Sequence, residues 1–219
     1  MATEFYRPLY DLVGGFVGKE WLKRKEQKPV DINKPGMLLH GIENLPDEAA
    51  LQIVLSEGLK PSKEQQYRSH IYSMSPNRVC LAMVGKGGFK YSTASTFGAD
   101  VRTFSEHISV VVNPEYVRDH ANEFKAVGAY FNSRNPVGQE YRKAIKKLYK
   151  GMQCAPVPAG IFFSGGPYED EVWTKFVPPE AIVGVIAKQT RIESVQETLR
   201  YNFPQRKITI YDVEGNIHK

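Results

Sequence analysis

The sequence predicts an α+β domain with mixed, mostly antiparallel sheets and flanking helices. Short β-branched runs outnumber the helical stretches, strands cluster without strict strand-helix alternation, and Gly or Pro punctuates most junctions. With 219 residues, 42% of them hydrophobic and 24% charged, the chain is long enough for one sizeable core without staples. Residues 1–34 read as a helical appendage and linker, and residues 35–219 as the domain proper.

Taken in order, apolar residues at helical spacing over 6–23 (Leu9, Leu12, Val13, Phe16, Val17, Trp21) predict an amphipathic helix, followed by a polar linker over 23–33. Pro35 and Gly36 precede a strand at 37–40, and 45–58 reads as a helix closing at Gly58. A second strand is expected at 78–84, then a Gly loop at 85–88, and a third strand at 108–112, stopped by Asn113-Pro114. Helices are expected at 114–124 and 137–152, the second carrying Arg142, Lys143, Lys146, Lys147 and Lys150 on what reads as a solvated face. Strands at 161–163, 172–176, 182–187 and 207–211, a helix at 192–201 and a turn at 214–216 complete the pattern.

The net charge of +5 and pI near 9.0 tolerate anionic ligands without demanding nucleic acid. Only Cys80 and Cys154 occur, without a CxxC spacing, so a reducing cytosol is expected rather than a disulfide scaffold. No apolar run reaches the roughly 18 residues of a membrane span, and the first residues do not open a signal peptide. The expected location is therefore cytoplasmic, or a host cytosol reached through a dedicated secretion system, with no membrane partner. Gly14, Gly15, Gly18 and Lys19 miss the phosphate-loop spacing, with Glu20 after the Lys, and Ser164 lacks the first Gly of a nucleophile elbow. His70, His107, His120 and His218 make no metal-ligand spacing with Cys or acids, and no metal is expected.

The stretch EDEVWTKFVPPEAIVGVIA, residues 169–187, sets three acids before an apolar run. In an extended chain Glu169 and Glu171 point to one side and Asp170 to the other. Carboxylates that close must bind a cation, serve a reacting centre or splay into water as a solvated turn.

Upstream, MLLHGIENLPDEAALQIVLSEGLKP puts His40-Gly41 at a strand end and Gly58-Leu59 after a helix. RVCLAMV then supplies a second strand, and Glu171 a carboxylate on a late one. In that order the parts resemble the ADP-ribosyltransferase-like superfamily, and within it the His-Tyr-Glu branch, over roughly residues 37–211. The resemblance implies a split β core and NAD as substrate. It further implies that His40 hydrogen-bonds a ribose hydroxyl, that the Gly41 backbone holds the carboxamide, and that Glu171 binds the 2′-hydroxyl of the nicotinamide ribose.

Glu169 resembles the first acid of the Glu-x-Glu pair that orients an acceptor, although such members carry Arg where this chain has His40. The aromatic expected at the second strand is missing from VCLAM, where Cys80 stands, and Tyr91 or Phe89 beyond the Gly loop would stack on nicotinamide instead. The resemblance thus implies a mono-ADP-ribosyltransferase, akin to bacterial toxins or effectors, acting on a macromolecular acceptor, a protein first and nucleic acid second. Two other readings stay open: an inactive module of the same fold that binds ADP-ribose or a partner through the basic helix, and a hydrolase or deamidase using Cys80 or Cys154.

Overall fold

The computed structural model describes residues 28–42, 47–61, 77–84, 108–128, 136–156 and 170–219. Among these the chain forms one mostly antiparallel sheet of nine strands, in the order β5-β4-β6-β2-β1-β3-β7-β8-β9, with four helices. The strands are β1 Leu38–Ile42, β2 Val79–Met83, β3 Ile108–Val112, β4 Lys125–Gly128, β5 Gln153–Pro156, β6 Asp170–Thr174, β7 Ile182–Ile186, β8 Thr209–Tyr211 and β9 Ile217–His218. The helices are α1 Asp47–Glu57, α2 Pro114–Asp119, α3 Pro136–Leu148 and α4 Ile192–Asn202. The fold class expected from sequence holds at this level, but the strands join one continuous sheet rather than several. The helix expected at 6–23 and the strand at 161–163 lie outside the described residues.

Strand alternation divides the core. Leu38, Ile42, Leu81, Val110, Val112, Val172 and Val185 join the larger cluster, together with Leu51, Val54 and Leu55 of α1, Ile145 of α3, Tyr149 just after it, and Val195 of α4. Leu39, Val111, Val183, Ile186 and Tyr211 face the other way and join Ile32 and Met37 in a smaller cluster. Each buried aliphatic side chain stabilises the fold by about 1.5–3 kcal/mol. A register shift between Val111 and Val112 lets Ile182 and Val185 both reach the larger cluster.

Local signals explain several boundaries. Asn113 caps α2, its side chain accepting from the Glu115 amide at 2.8 Å, and Pro114 takes the first helical position. Gly58 ends α1 with a positive φ of 80° at a point where a Cβ would collide with the Val177 carbonyl oxygen. Leu59 then bridges Val177 in both directions, at 2.8 and 3.0 Å.

The helix expected at 114–124 stops at Asp119, gives one 3-10 turn at Ala121–Glu123, and the chain enters β4. The helix expected to 152 ends at Leu148 and is followed by β5. Neither strand was expected from the sequence, because KAVG and QCAP are short and poor in β-branched residues. Residues 30–37, which begin in the stretch expected as linker and run into the expected first strand, lie along the smaller cluster. Ile32 is buried there, and the Tyr211 hydroxyl accepts from the Val30 amide at 2.9 Å and donates to the Val30 carbonyl at 2.8 Å.

Candidate functional site

The sheet order sets β2 between β1 and β6. Leu39 pairs with Ala82, Ala82 with Glu171, and Glu171 with Val127, so these residues form one row across four strands. The β1–β2 ladder consists of only two pairs, Leu38↔Met83 and Leu39↔Ala82, whereas β1 stays paired with β3 as far as Ile42↔Ile108. Beyond Leu39 it is a side chain that crosses to β2: Nδ1 of His40 lies 2.9 Å from the Cys80 carbonyl oxygen.

A carbonyl only accepts, so Nδ1 of His40 carries the proton. Burial holds the imidazole below its ordinary pKa, against the opposing pull of the Cys80 carbonyl. The ring is therefore neutral near pH 7, and Nε2 is left as an acceptor suited to a hydroxyl.

Glu171 is held from its own strand and from the next. The indole N–H of Trp173, two residues on and on the same face, donates to Oε2 at 2.7 Å. Cys80 on β2 stands beside the carboxylate. Burial pushes its thiol up strongly, and the Glu171 charge and a hydrogen bond to Glu171 push it further, while Arg78 opposes. The Arg78 guanidinium lies over the buried Trp173 ring, 4.6 Å from its centroid. An acid at a strand mouth is thus neither a free surface charge nor a turn decoration; it is fixed by an indole donor and a thiol.

The expected site residues are placed as follows. Glu171 and Gly41 share a face by alternation, since both follow the side of Leu39. His40 pairs with Val110 and so stands toward the larger cluster; alternation puts it on the opposite face from Glu171, and the two are linked through Cys80. Ser109, the cross-strand partner of Gly41, has a buried hydroxyl with no hydrogen-bond partner among the described residues. Glu169, Tyr91 and Phe89 lie outside the described residues. Reasoning from sequence missed Arg78 and Trp173. Their signal was the alternation of 78 with 80 and of 171 with 173, readable only once β2 and β6 are known to be neighbours.

The remaining described histidines have structural partners. His120 stacks on Tyr116, with ring centroids 4.1 Å apart, and His218 lies 3.2 Å from Asp212. Among the described residues no group of three or more His, Cys, Asp or Glu side chains could hold a metal ion, and no helix is long and apolar enough to cross a membrane.

Fold and site together define a mixed α+β domain whose central strands carry an oriented carboxylate and a neutral imidazole joined through one cysteine. A scan against protein-family models finds no match, and a search of curated proteins finds none either.

Proposed function

We propose that the protein is an NAD-dependent mono-ADP-ribosyltransferase in which Glu171 is the catalytic carboxylate. The observation that carries this reading is the fixed Glu171, oriented by Trp173 on β6 and connected through Cys80 to His40 of β1. The order of parts noted in the sequence supports it: His40-Gly41 in a first strand, a helix closing at Gly58, a second strand, and Glu171 on the strand beside that one. On the face of Glu171, Gly41 offers backbone without a side chain, and the Ser109 hydroxyl beside it has no hydrogen-bond partner among the described residues, whereas the His40 ring stands on the opposite face.

NAD supplies the ribosyl group and the leaving nicotinamide: the glycosidic C–N bond breaks with its electron pair going to nicotinamide, and the acceptor nucleophile bonds to the ribosyl carbon and loses its proton. Positive charge grows on the ribose as that bond breaks. A carboxylate already oriented by an indole N–H stabilises this charge without reorganising, so its effect falls on the transition state more than on the ground state. Glu169 orients the acceptor, a protein in the first instance. A bacterial toxin or effector working in a host cytosol fits this chemistry.

An inactive NAD- or ADP-ribose-binding module is the second reading, favoured by the opposite facing of His40 and Glu171 across the sheet. A nucleophilic Cys80 is disfavoured, because its thiol is pushed up rather than down. The deciding experiment is nicotinamide release from NAD by the native chain beside Glu171→Gln, alone and with cell lysate. Release that requires Glu171 supports the transferase. NAD binding without release moves the assignment to the binding module, and no binding at all removes both.

A further inference from the structure

We infer that the groove between α3 and β5 is a docking site for an extended acidic segment of a partner protein. Arg142, Lys146 and Lys150 line one wall, and Met152, Gln153 and Cys154 form the floor and far side. Met152 is buried, so the floor is apolar beneath a basic wall.

Residues four apart on a helix advance about 6 Å along its axis. Side chains two apart on one side of an extended chain are about 6.6 Å apart. Carboxylates at alternate positions of an extended peptide therefore meet Arg142 and Lys146 of α3 almost in step, and Lys150, in the turn after the helix, extends the basic side of the groove. Lys146 and Lys150 are exposed and have no ion pair among the described residues, and Lys143 and Lys147 add charge on the outer flank.

Helix-dipole compensation accounts for only part of this charge. It is worth about 0.3–1 kcal/mol within the last turn, where Lys146 and Lys147 stand, and does not reach Arg142. Single-stranded nucleic acid is less well served, because it gains affinity from stacking on exposed rings. Among the described side chains next to α3, the ring of Tyr149 is buried and donates its hydroxyl to the Gly36 carbonyl at 2.6 Å. This inference is independent of the NAD chemistry, since the groove is built from α3, β5 and the turn between them.

The test is fluorescence anisotropy of the full chain with a labelled peptide alternating Glu and Val, beside the same peptide with Lys for Glu and a single-stranded RNA of matched charge. The acidic peptide should bind, and binding should weaken as salt is raised. Joint reversal of Arg142, Lys146 and Lys150 to Glu should weaken it about tenfold or more, while reversal of Lys175, Lys207 and Lys219 to Glu, matched in charge, should leave it within about twofold. The milder Lys146→Gln, checked for an unchanged far-UV spectrum, should cost about threefold and guards against loss of fold in the triple variant. Preference for RNA, equal loss in the two triple variants, or no binding of the acidic peptide would overturn the assignment.

Discussion

The indole N–H of Trp173 reaches back two positions along β6 to the Glu171 carboxylate at 2.7 Å. Removing that donor tests whether orientation of the acid matters apart from its presence. Trp173→Phe should keep most of the buried packing and lower nicotinamide release on the order of tenfold, with a smaller change in KM. A kcat equal to that of the native chain would make the contact structural only.

His40 links a pH effect to the site. Its ring is held below the ordinary His value of about 6.5 by burial, so the unfolded chain binds the proton first as pH falls. The stabilising contribution is complete above that value and is lost as pH falls through the folded-state value. Denaturant midpoints between pH 7 and 5 should drop more for the native chain than for His40→Gln, and parallel curves would contradict this.

Arg206 is a half-buried cation without a carboxylate in hydrogen-bond contact among the described residues. Its guanidinium donates to the carbonyls of Leu55 at 2.7 Å, Ile182 at 3.0 Å and Pro179, tying the end of α1 to the start of β7. Burial lowers its pKa to about 10, which leaves it charged at neutral pH. A lysine cannot serve three carbonyls in a planar fork, so Arg206→Lys should destabilise the fold by about 2–4 kcal/mol in urea unfolding.

Gly184 makes room for Tyr211. A Cβ there would sit 2.8 Å from Cε2 of Tyr211 and 3.2 Å from Cγ2 of Val111. Gly184→Ala should destabilise by about 1–3 kcal/mol, and Tyr211→Phe, which keeps the ring but drops both bonds to Val30, should cost about 1–3 kcal/mol. Additive losses in the double variant would show that ring packing and the Val30 clasp act separately.

Asp212 closes the turn into β9. Burial pushes its pKa up, but bonds from the Asn216 side chain and amide, from His218 and from the Glu214 amide outweigh that and hold it at about 2. Its contribution is present above the ordinary carboxylate range and lost as pH falls towards 2. Thermal scans between pH 5 and 2.5 should separate Asp212→Asn from the native chain at the upper end and bring the two together at the lower.

What could be read from the sequence was what neighbours in the chain decide. The run at 108–112, stopped by Asn113-Pro114, and the helix expected from Pro114 match β3 and the start of α2. Alternation placed Glu171 on a strand but could not say that β2 would be its neighbour, and so could not bring Cys80 to the carboxylate or Arg78 to Trp173. β4 and β5 were invisible because they owe their strand form to pairing with each other and to β6 rather than to their own composition. Likewise, one continuous sheet depends on register between segments far apart in sequence, which no local pattern encodes.

The clasp of Tyr211 on Val30 has a consequence for how the chain is made. Its two partners are 181 residues apart, and β2 likewise waits for β6, so neither side of the sheet can be completed from what has already left the ribosome. A nascent chain that has emerged through α3 holds the block β2-β1-β3 with β2 open toward the missing β6 and β3 open toward the missing β7, a state that invites wrong strand partners. Closure must follow synthesis of the last strands, and such non-local pairing is slow. The protein should therefore lean on chaperones during translation more than its size suggests, and shortening it from the C-terminal side should yield aggregates rather than a smaller folded unit.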